Sequence, residues 1–191
     1  RVNPLRDYCT GLMMPSERKS VEPMAAVTAP GRTAAQHQSL LHFVGQAAWS
    51  DEKVLSKVCE MVLPAMERDG PIEAWIIDDT GFPKKGRHSV GVARQYCGQL
   101  GKQDNCQAAV SLSIANRHAS LPVRYRLYLP EEWVSSEEFA ERRQQCGVPA
   151  EISFQTKLEL SWEMIQAQVK AGVLRYRWLT CDEAFGRGTT L

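Results

Sequence analysis

Two acidic residues stand where two short apolar runs end. Asp78 follows the run 74–77, and Asp182 follows the run 176–181. Short continuous apolar runs are typical of buried strands, and ligands of α/β sheets bind at the carboxyl ends of strands. If the two strands are neighbours, the two carboxylates converge, and a divalent cation removes their repulsion. Hard oxygen ligands of this kind select Mg²⁺ or Mn²⁺, so the pair predicts a metal site suited to phosphodiester chemistry.

A second interpretation of the same acids stays open on the residues alone. Acids at strand ends also cap helices or anchor loops, and neither use involves a metal. Each acid also has an acidic neighbour, Asp79 and Glu183 respectively. Because successive side chains of a strand point to opposite sides, only one member of each acidic pair can face a metal.

A basic cluster follows the first acid closely. It consists of Lys84, Lys85, Arg87 and His88. Beside a metal site these side chains would meet DNA phosphates, although four polar residues in a turn rich in glycine and proline are equally typical of a solvated loop. Arg94 offers a second phosphate contact, against the alternative that it covers an exposed strand face.

Strands and helices must position these residues, and the pattern predicts both. The β-prone segments are 74–77, 89–96, 108–115, 121–129 and 176–181, with a turn at 81–86 and polar loops at 98–105 and 116–120. The three middle segments predict an antiparallel meander. Prolines in residues 1–35 disfavour long elements there, leaving a short helix at 16–26.

Helical periodicity appears before and after the β-prone segments. One helix is predicted at 34–48 and a second after Ser50, a capping residue. Ser135 and Glu138 have capping-box spacing, as do Thr156 and Glu159, which open a stronger helix. The predicted apolar face of that helix comprises Leu158, Trp162, Ile165 and Val169, and the predicted stop is Gly172.

Composition limits the class of protein without deciding its function. The 191 residues carry 23 basic and 22 acidic side chains, so the net charge of +1 argues neither for nor against nucleic acid. The six cysteines form no Cys-x-x-Cys pair and no signal peptide precedes them, which predicts reduced thiols in a cytoplasmic protein. No apolar run reaches the roughly 20 residues of a membrane span.

Several blocks of the sequence resemble one known family. The run 75–86, WIIDDTGFPKKG, and the run 88–96, HSVGVARQY, resemble the first catalytic block of bacterial insertion-sequence transposases of the DDE superfamily endonuclease group. Later segments that resemble the same group are 105–107, 126–133, 147–149, 154–157 and 180–186. These blocks follow one another in the right order, and the resemblance covers nearly the whole chain.

The resemblance implies an α/β fold of the ribonuclease-H-like type. Its mixed sheet has an antiparallel three-strand meander plus a parallel strand, with flanking helices. A small helical region, 1–70, would precede a catalytic domain, 71–191. That domain is expected to be incomplete, because the third acid of the family, a glutamate on a later helix, would lie beyond Leu191.

The resemblance also implies the roles of the acids. Asp78 matches the first catalytic position and Asp182 the second, and Asp78 is preferred over Asp79 because the family pattern tolerates another residue at the latter place. Two Mg²⁺ or Mn²⁺ ions are expected in the complete site, with Asp78 bridging both and Asp182 holding one.

The implied activity is cleavage and joining of transposon ends by a DNA transposase. The expected partners are double-stranded DNA, as transposon ends and target, and further copies of the chain assembled on DNA. No membrane is involved, and the expected location is cytoplasmic and nucleoid-associated. Two alternatives are a catalytically inactive DNA-binding or assembly fragment, and a related metal-dependent nuclease that cuts DNA without joining it.

Overall fold

The computed structural model describes residues 2–172 and 176–186. Contacts between residues divide the chain into two compact units, Arg1–Asp51 and Glu52–Leu191. The boundary predicted from sequence, after residue 70, stays a prediction. Within the described ranges, no helix is both long enough and apolar enough to cross a membrane.

The first unit consists of three helices and a short 3-10 turn. Its elements are α1 (Val2–Met13), α2 (Val21–Thr28), the 3-10 turn Pro30–Arg32 and α3 (Thr33–Gly45). Met24, Ala25 and Leu40 form its small core. The expectation of no long element before residue 35 is wrong. Pro4 lies in the first turn of α1, where a backbone N–H has no helical partner and its absence costs nothing.

In its described residues, the second unit is built around a sheet of five strands with helices beside it. Its strands are β1 (Ala74–Pro83), β2 (Ala93–Cys97), β3 (Lys102–Ala115), β4 (Ser120–Tyr128) and β5 (Trp178–Cys181). Its helices are α4 (Asp51–Asp69), α5 (Glu131–Ser135), α6 (Ala140–Gln145), α7 (Lys157–Ala171) and α8 (Glu183–Gly186), with 3-10 turns at Gly98–Leu100 and Glu137–Phe139.

The strand order confirms the predicted fold class. The sheet runs β2-β3-β1-β5, and β4 pairs with β3 as well. All pairings are antiparallel except that of β1 with β5, which is parallel. A mixed sheet of this kind, with a meander, one parallel strand and flanking helices, has the architecture expected of a ribonuclease-H-like domain.

One face of the sheet is covered by helices. Trp75 and Ile77 of β1 are buried on it, opposite Ile114 and Leu112 of β3. The helical residues packed into the same core are Met66 of α4, Leu160, Met164 and Ile165 of α7, and Phe185 of α8. Because side chains alternate along a strand, the residues between these buried ones point to the other face.

Three strand boundaries differ from the sequence prediction. The turn predicted at 81–86 is wrong in its first half, since β1 continues to Pro83, paired with Cys106. The polar loop predicted at 98–105 is also too long, because β3 begins at Lys102 and pairs with Cys97. The segment predicted at 89–96 is strand only from Ala93. A long central strand, β3, thus imposes pairing on flanks whose own residues favour turns.

Helix α7 begins and ends as predicted but buries a different face. Thr156 and Glu159 form the capping box, and Gly172 ends the helix in the left-handed conformation. The predicted face is wrong at two positions, because Trp162 and Val169 are 45% and 55% exposed. The buried side is instead that of Leu160, Ser161, Met164, Ile165 and Gln168. In the shorter helical segment the cap is Ser136, which accepts from the Glu138 N–H, rather than Ser135.

Candidate functional site

The two predicted metal ligands occupy adjacent positions where β5 ends beside the middle of β1. In the parallel pairing of β1 with β5, Ile77 lies opposite Cys181. Asp78 and Asp182 are the next residues of the two strands' chains, and neighbouring strands lie about 4.8 Å apart. The fold therefore brings together two acids that are far apart in sequence.

Each of these acids has a local hydrogen bond that orients it. Asp78 is exposed, and its Oδ1 accepts from the Asp79 N–H at 2.8 Å. Asp182 Oδ1 accepts from the Phe185 N–H at 3.2 Å, which caps the short helix α8. The capping role that the sequence left open is thus present at Asp182. It does not exclude metal binding, because a carboxylate offers about four acceptor sites.

Asp79 points to the covered face and has a different partner. It lies opposite the buried Val110 of β3, and its carboxylate forms an ion pair with the ammonium of Lys157, the first residue of α7. The two side chains are 31% and 30% exposed. Glu183, the other neighbouring acid, is the exposed first residue of α8.

The donor set fits part of a divalent-metal site. Adjacent carboxylates are the hard oxygen ligands that Mg²⁺ and Mn²⁺ prefer. Within residues 2–172 and 176–186, however, no group of three or more histidine, cysteine, aspartate or glutamate side chains lies close enough to share an ion. Among the described residues, the carboxylates available for an ion at this position are those of Asp78 and Asp182.

The basic segment after β1 is held through its backbone. The Asn105 amide donates to the carbonyls of Lys84, at 2.7 Å, and Gly86, at 2.9 Å. Arg142 donates to the carbonyl of Arg87 at 3.1 Å. These contacts leave the side chains of Lys85 and Arg87 exposed, with Lys84 half-buried, and among the described residues none of the three forms an ion pair.

Arg94 lies on the same face of the sheet as Asp78. It is opposite Asn105 of β3, whereas Asp78 is opposite Ser111 of the same strand. Asn105 and Ser111 are six positions apart in β3. Because side chains alternate along a strand, both point to the same face, the one that α4 and α7 leave open. At about 3.3 Å per residue, roughly 20 Å of strand separates Arg94 from the acids. His88 is exposed and lies in the basic segment that follows β1.

Sequence reasoning assigned no role to two residues that shape this region. Asn105 holds the basic segment, and Lys157 holds Asp79. Of the two, only Lys157 has a feature visible in the sequence that could have indicated its partner. A cation in the first turn of a helix is disfavoured by the helix dipole, and a nearby acid offsets this effect.

Comparison with known proteins identifies the family. The family model described as DDE superfamily endonuclease matches residues 1–191. The chain belongs to this family. Among its relatives is the probable transposase for insertion sequence element IS701 of Microchaete diplosiphon, which is 32% identical over 149 residues. That alignment covers 78% of this DDE superfamily endonuclease and 35% of the relative. No solved structure matches the chain significantly.

Proposed function

We propose that this chain is the part of a DNA transposase that supplies Asp78 and Asp182 to a metal-dependent site for cleaving and joining DNA. The observation that carries the proposal is the register of β1 and β5, with Ile77 opposite Cys181. It makes the two acids neighbours at the point where β5 ends beside β1. Membership of the DDE superfamily endonucleases and the similarity to a probable transposase support the same reading.

The residue types fit a divalent cation better than a purely structural role. Two carboxylates on adjacent strands repel each other, and hydrogen bonds from the Asp79 and Phe185 amides offset only part of that repulsion. Asp78 and Asp182 would hold Mg²⁺ or Mn²⁺. When bound, such an ion neutralises phosphate charge and lowers the pKa of the attacking oxygen.

The chain's own contribution is to hold these acids rigidly. Asp78 lies in the middle of β1, where it pairs with Ser111 of β3, one residue beyond the last pair of β1 with β5. Asp182 stands between β5 and α8, whose Phe185 packs into the core. Ligands placed on paired strands keep their geometry better than ligands on loops.

DNA is the proposed substrate and the basic side chains its proposed contacts. Lys84, Lys85 and Arg87 extend from a segment whose carbonyls are tied down, and Arg94 lies on the open face with Asp78. Cations placed in this way bind phosphates of double-stranded DNA without reading sequence. Further copies of the chain would assemble on the transposon ends, and the protein would act on DNA in the nucleoid.

The proposed reaction comprises two phosphoryl transfers. Water attacks the phosphodiester at a transposon end, the P–O3′ bond breaks, and a free 3′ hydroxyl is left. That 3′ oxygen then attacks a target phosphodiester, forming a new P–O bond and releasing a 3′ hydroxyl of the target. These steps belong to the whole protein, because the aligned region makes up 35% of the relative.

An assay of both steps tests this proposal. The longer protein that contains this chain is incubated with a plasmid carrying the element's ends, with Mg²⁺ or Mn²⁺. We expect Asp78→Ala and Asp182→Ala each to abolish cleavage and joining, and Asp104→Asn, a control acid on β3, to keep both. Cleavage that survives Asp78→Ala contradicts the assignment. Cleavage without joining identifies a nuclease instead of a transposase.

A further inference from the structure

We infer that Lys157 is a positioning residue for this site: its ion pair with Asp79 fixes β1 so that Asp78, and not Asp79, is presented beside Asp182. The inference rests on the proposed function, because it concerns which of two adjacent acids the metal meets. It adds Lys157, the first residue of α7, to the residues that shape the candidate site.

The pair lies immediately behind the candidate site. Asp78 and Asp79 are consecutive in β1, so their side chains point to opposite faces. On the covered face, Asp79 lies opposite the buried Val110 and contacts the Lys157 ammonium. A rotation of the strand that released Asp79 to water would turn Asp78 away from Asp182.

Lys157 is held in place from three directions. The capping box of Thr156 and Glu159 fixes the first turn of α7, in which Lys157 is the first residue. Its ammonium lies 5.4 Å from the centre of the Tyr128 ring at the end of β4, in a cation–π contact. It therefore joins β1, β4 and α7 at the level of the acids.

Its position is electrostatically unfavourable without Asp79. The first turn of a helix carries partial positive charge, which disfavours a lysine there. The lysine side chain is 30% exposed, so it is partly removed from water. Asp79 satisfies Lys157, and Lys157 in turn neutralises the acid that would otherwise compete with Asp78 for a cation.

A second ion pair provides a matched control for a merely structural role. Arg126 of β4 and Glu163 of α7 join the same helix to the sheet, at 2.8 Å, with side chains 53% and 45% exposed. Neither residue adjoins Asp78 or Asp79 in sequence. Arg126 lies in the same register row as Asp79, but Val110 of β3 stands between them, so Arg126 does not pair with β1. Loss of this pair loosens α7 without releasing an acid next to the site.

The test is Mn²⁺ affinity of the 191-residue chain, measured by water proton relaxation. We expect Lys157→Gln and Asp79→Asn each to weaken binding by about tenfold, the size of effect seen when the support of a metal ligand is removed. The double variant is expected to be no weaker than either single variant, because the two residues act as one pair. Lys157→Arg should retain most of the affinity, and Arg126→Gln should leave it unchanged.

The sign of the change separates positioning from simple charge. Through space, removal of the Lys157 charge strengthens cation binding, whereas removal of the Asp79 charge weakens it. Opposite effects of the two variants would overturn the inference, and so would equal weakening by Arg126→Gln. If Lys157→Gln does not fold, the two single variants Asp79→Asn and Lys157→Arg are compared instead. Unchanged Mn²⁺ affinity in Asp79→Asn then overturns the inference. Binding that survives Asp78→Asn defeats the proposed function itself, whereas binding that needs Asp78 but not Lys157 defeats only this inference.

Discussion

Asp78 and Asp79 are neighbours in sequence with opposite surroundings. Asp78 is exposed on the open face beside Asp182, and Asp79 is paired with Lys157 on the covered face. The strand period separates the two side chains, but the helix that supplies Lys157 decides which acid is neutralised by the protein. If Asp78 holds a metal as proposed, the choice of ligand would thus depend on a contact outside the strand that carries it.

The capping box of α7 makes a pH-dependent contribution to stability. Hydrogen bonds from the Thr156 N–H and hydroxyl, at 2.7 and 2.9 Å, hold the pKa of Glu159 below its usual value of 4.5. A carboxyl whose pKa is lowered by folding stabilises the protein above its unfolded pKa and loses that effect as pH falls through the folded pKa. We expect Glu159→Gln to lower the urea midpoint at pH 7 and to change it little near pH 2. An equal loss at both pH values would contradict this linkage.

At the residue level, sequence patterns singled out the two acids that the fold brings together, but they did not predict the partner of Asp79. The ends of the two apolar runs located Asp78 and Asp182, and alternation separated Asp78 from Asp79. Lys157 could not be found in this way, because it is 78 positions from Asp79 in sequence and only the folded chain brings the two together. Whether the two acids bind metal stays a prediction.

At the scale of elements, α7 shows how the sheet selects one of two apolar stripes. The predicted stripe and the buried one share Ile165, and periodicity alone cannot separate faces that overlap. The core of the sheet accepts Leu160 and Met164, and Trp162 is left exposed. The capping residues, by contrast, act locally, and they were predicted correctly.

The two stripes give a direct test by substitution. Met164 is 3% exposed, and Met164→Ala should destabilise the second unit by about 2–5 kcal/mol through lost burial and a cavity. Trp162→Ala, on the exposed side, should cost less than about 1 kcal/mol despite removing a larger side chain. Urea unfolding of both variants provides the comparison. A larger loss for Trp162→Ala would mean that α7 is rotated relative to this structure.

Gly91 constrains the segment between β1 and β2. Its φ of +74° is one that L side chains rarely adopt, and an added Cβ would lie 2.9 Å from the carbonyl oxygen of Tyr128. We expect Gly91→Ala to destabilise the protein by about 1–3 kcal/mol through this strain and contact. Gly86→Ala is the control, because nothing lies within 4 Å of its added Cβ. Thermal unfolding of both variants is the measurement, and equal behaviour would contradict the assigned conformation.

For the whole molecule, the fold class was predictable and the strand lengths were not. The order of apolar runs and helical stretches predicted a meander, a helix and a further strand. The length of β3 was hidden, because residues such as Gln103, Asp104 and Asn105 favour loops by composition and become strand only through pairing with β2. The division between residues 51 and 52 depends on contacts in the folded chain and not on local composition, and the domain boundary predicted after residue 70 stays a prediction.

The net charge of the chain is small although it contains a local basic segment. The salt dependence of DNA affinity tests whether this segment contacts DNA. If Lys84, Lys85 and Arg87 each contact a phosphate, the slope of log affinity against log salt should become less steep by about 2.7 when all three are replaced by glutamine. Replacement of Lys57, Arg117 and Lys170 is the control of equal charge. Fluorescence anisotropy with a short duplex measures both. An unchanged slope in the first variant would place the DNA elsewhere.

The central claim is that Asp78 and Asp182 share a divalent cation. Anomalous diffraction from a crystal of this chain soaked in Mn²⁺ tests it most directly. We expect an anomalous peak between the two carboxylates, with Mn–O distances of about 2.1 Å, as for small divalent ions with oxygen ligands. No peak there, with Mn²⁺ bound at Asp79 or elsewhere instead, would contradict it.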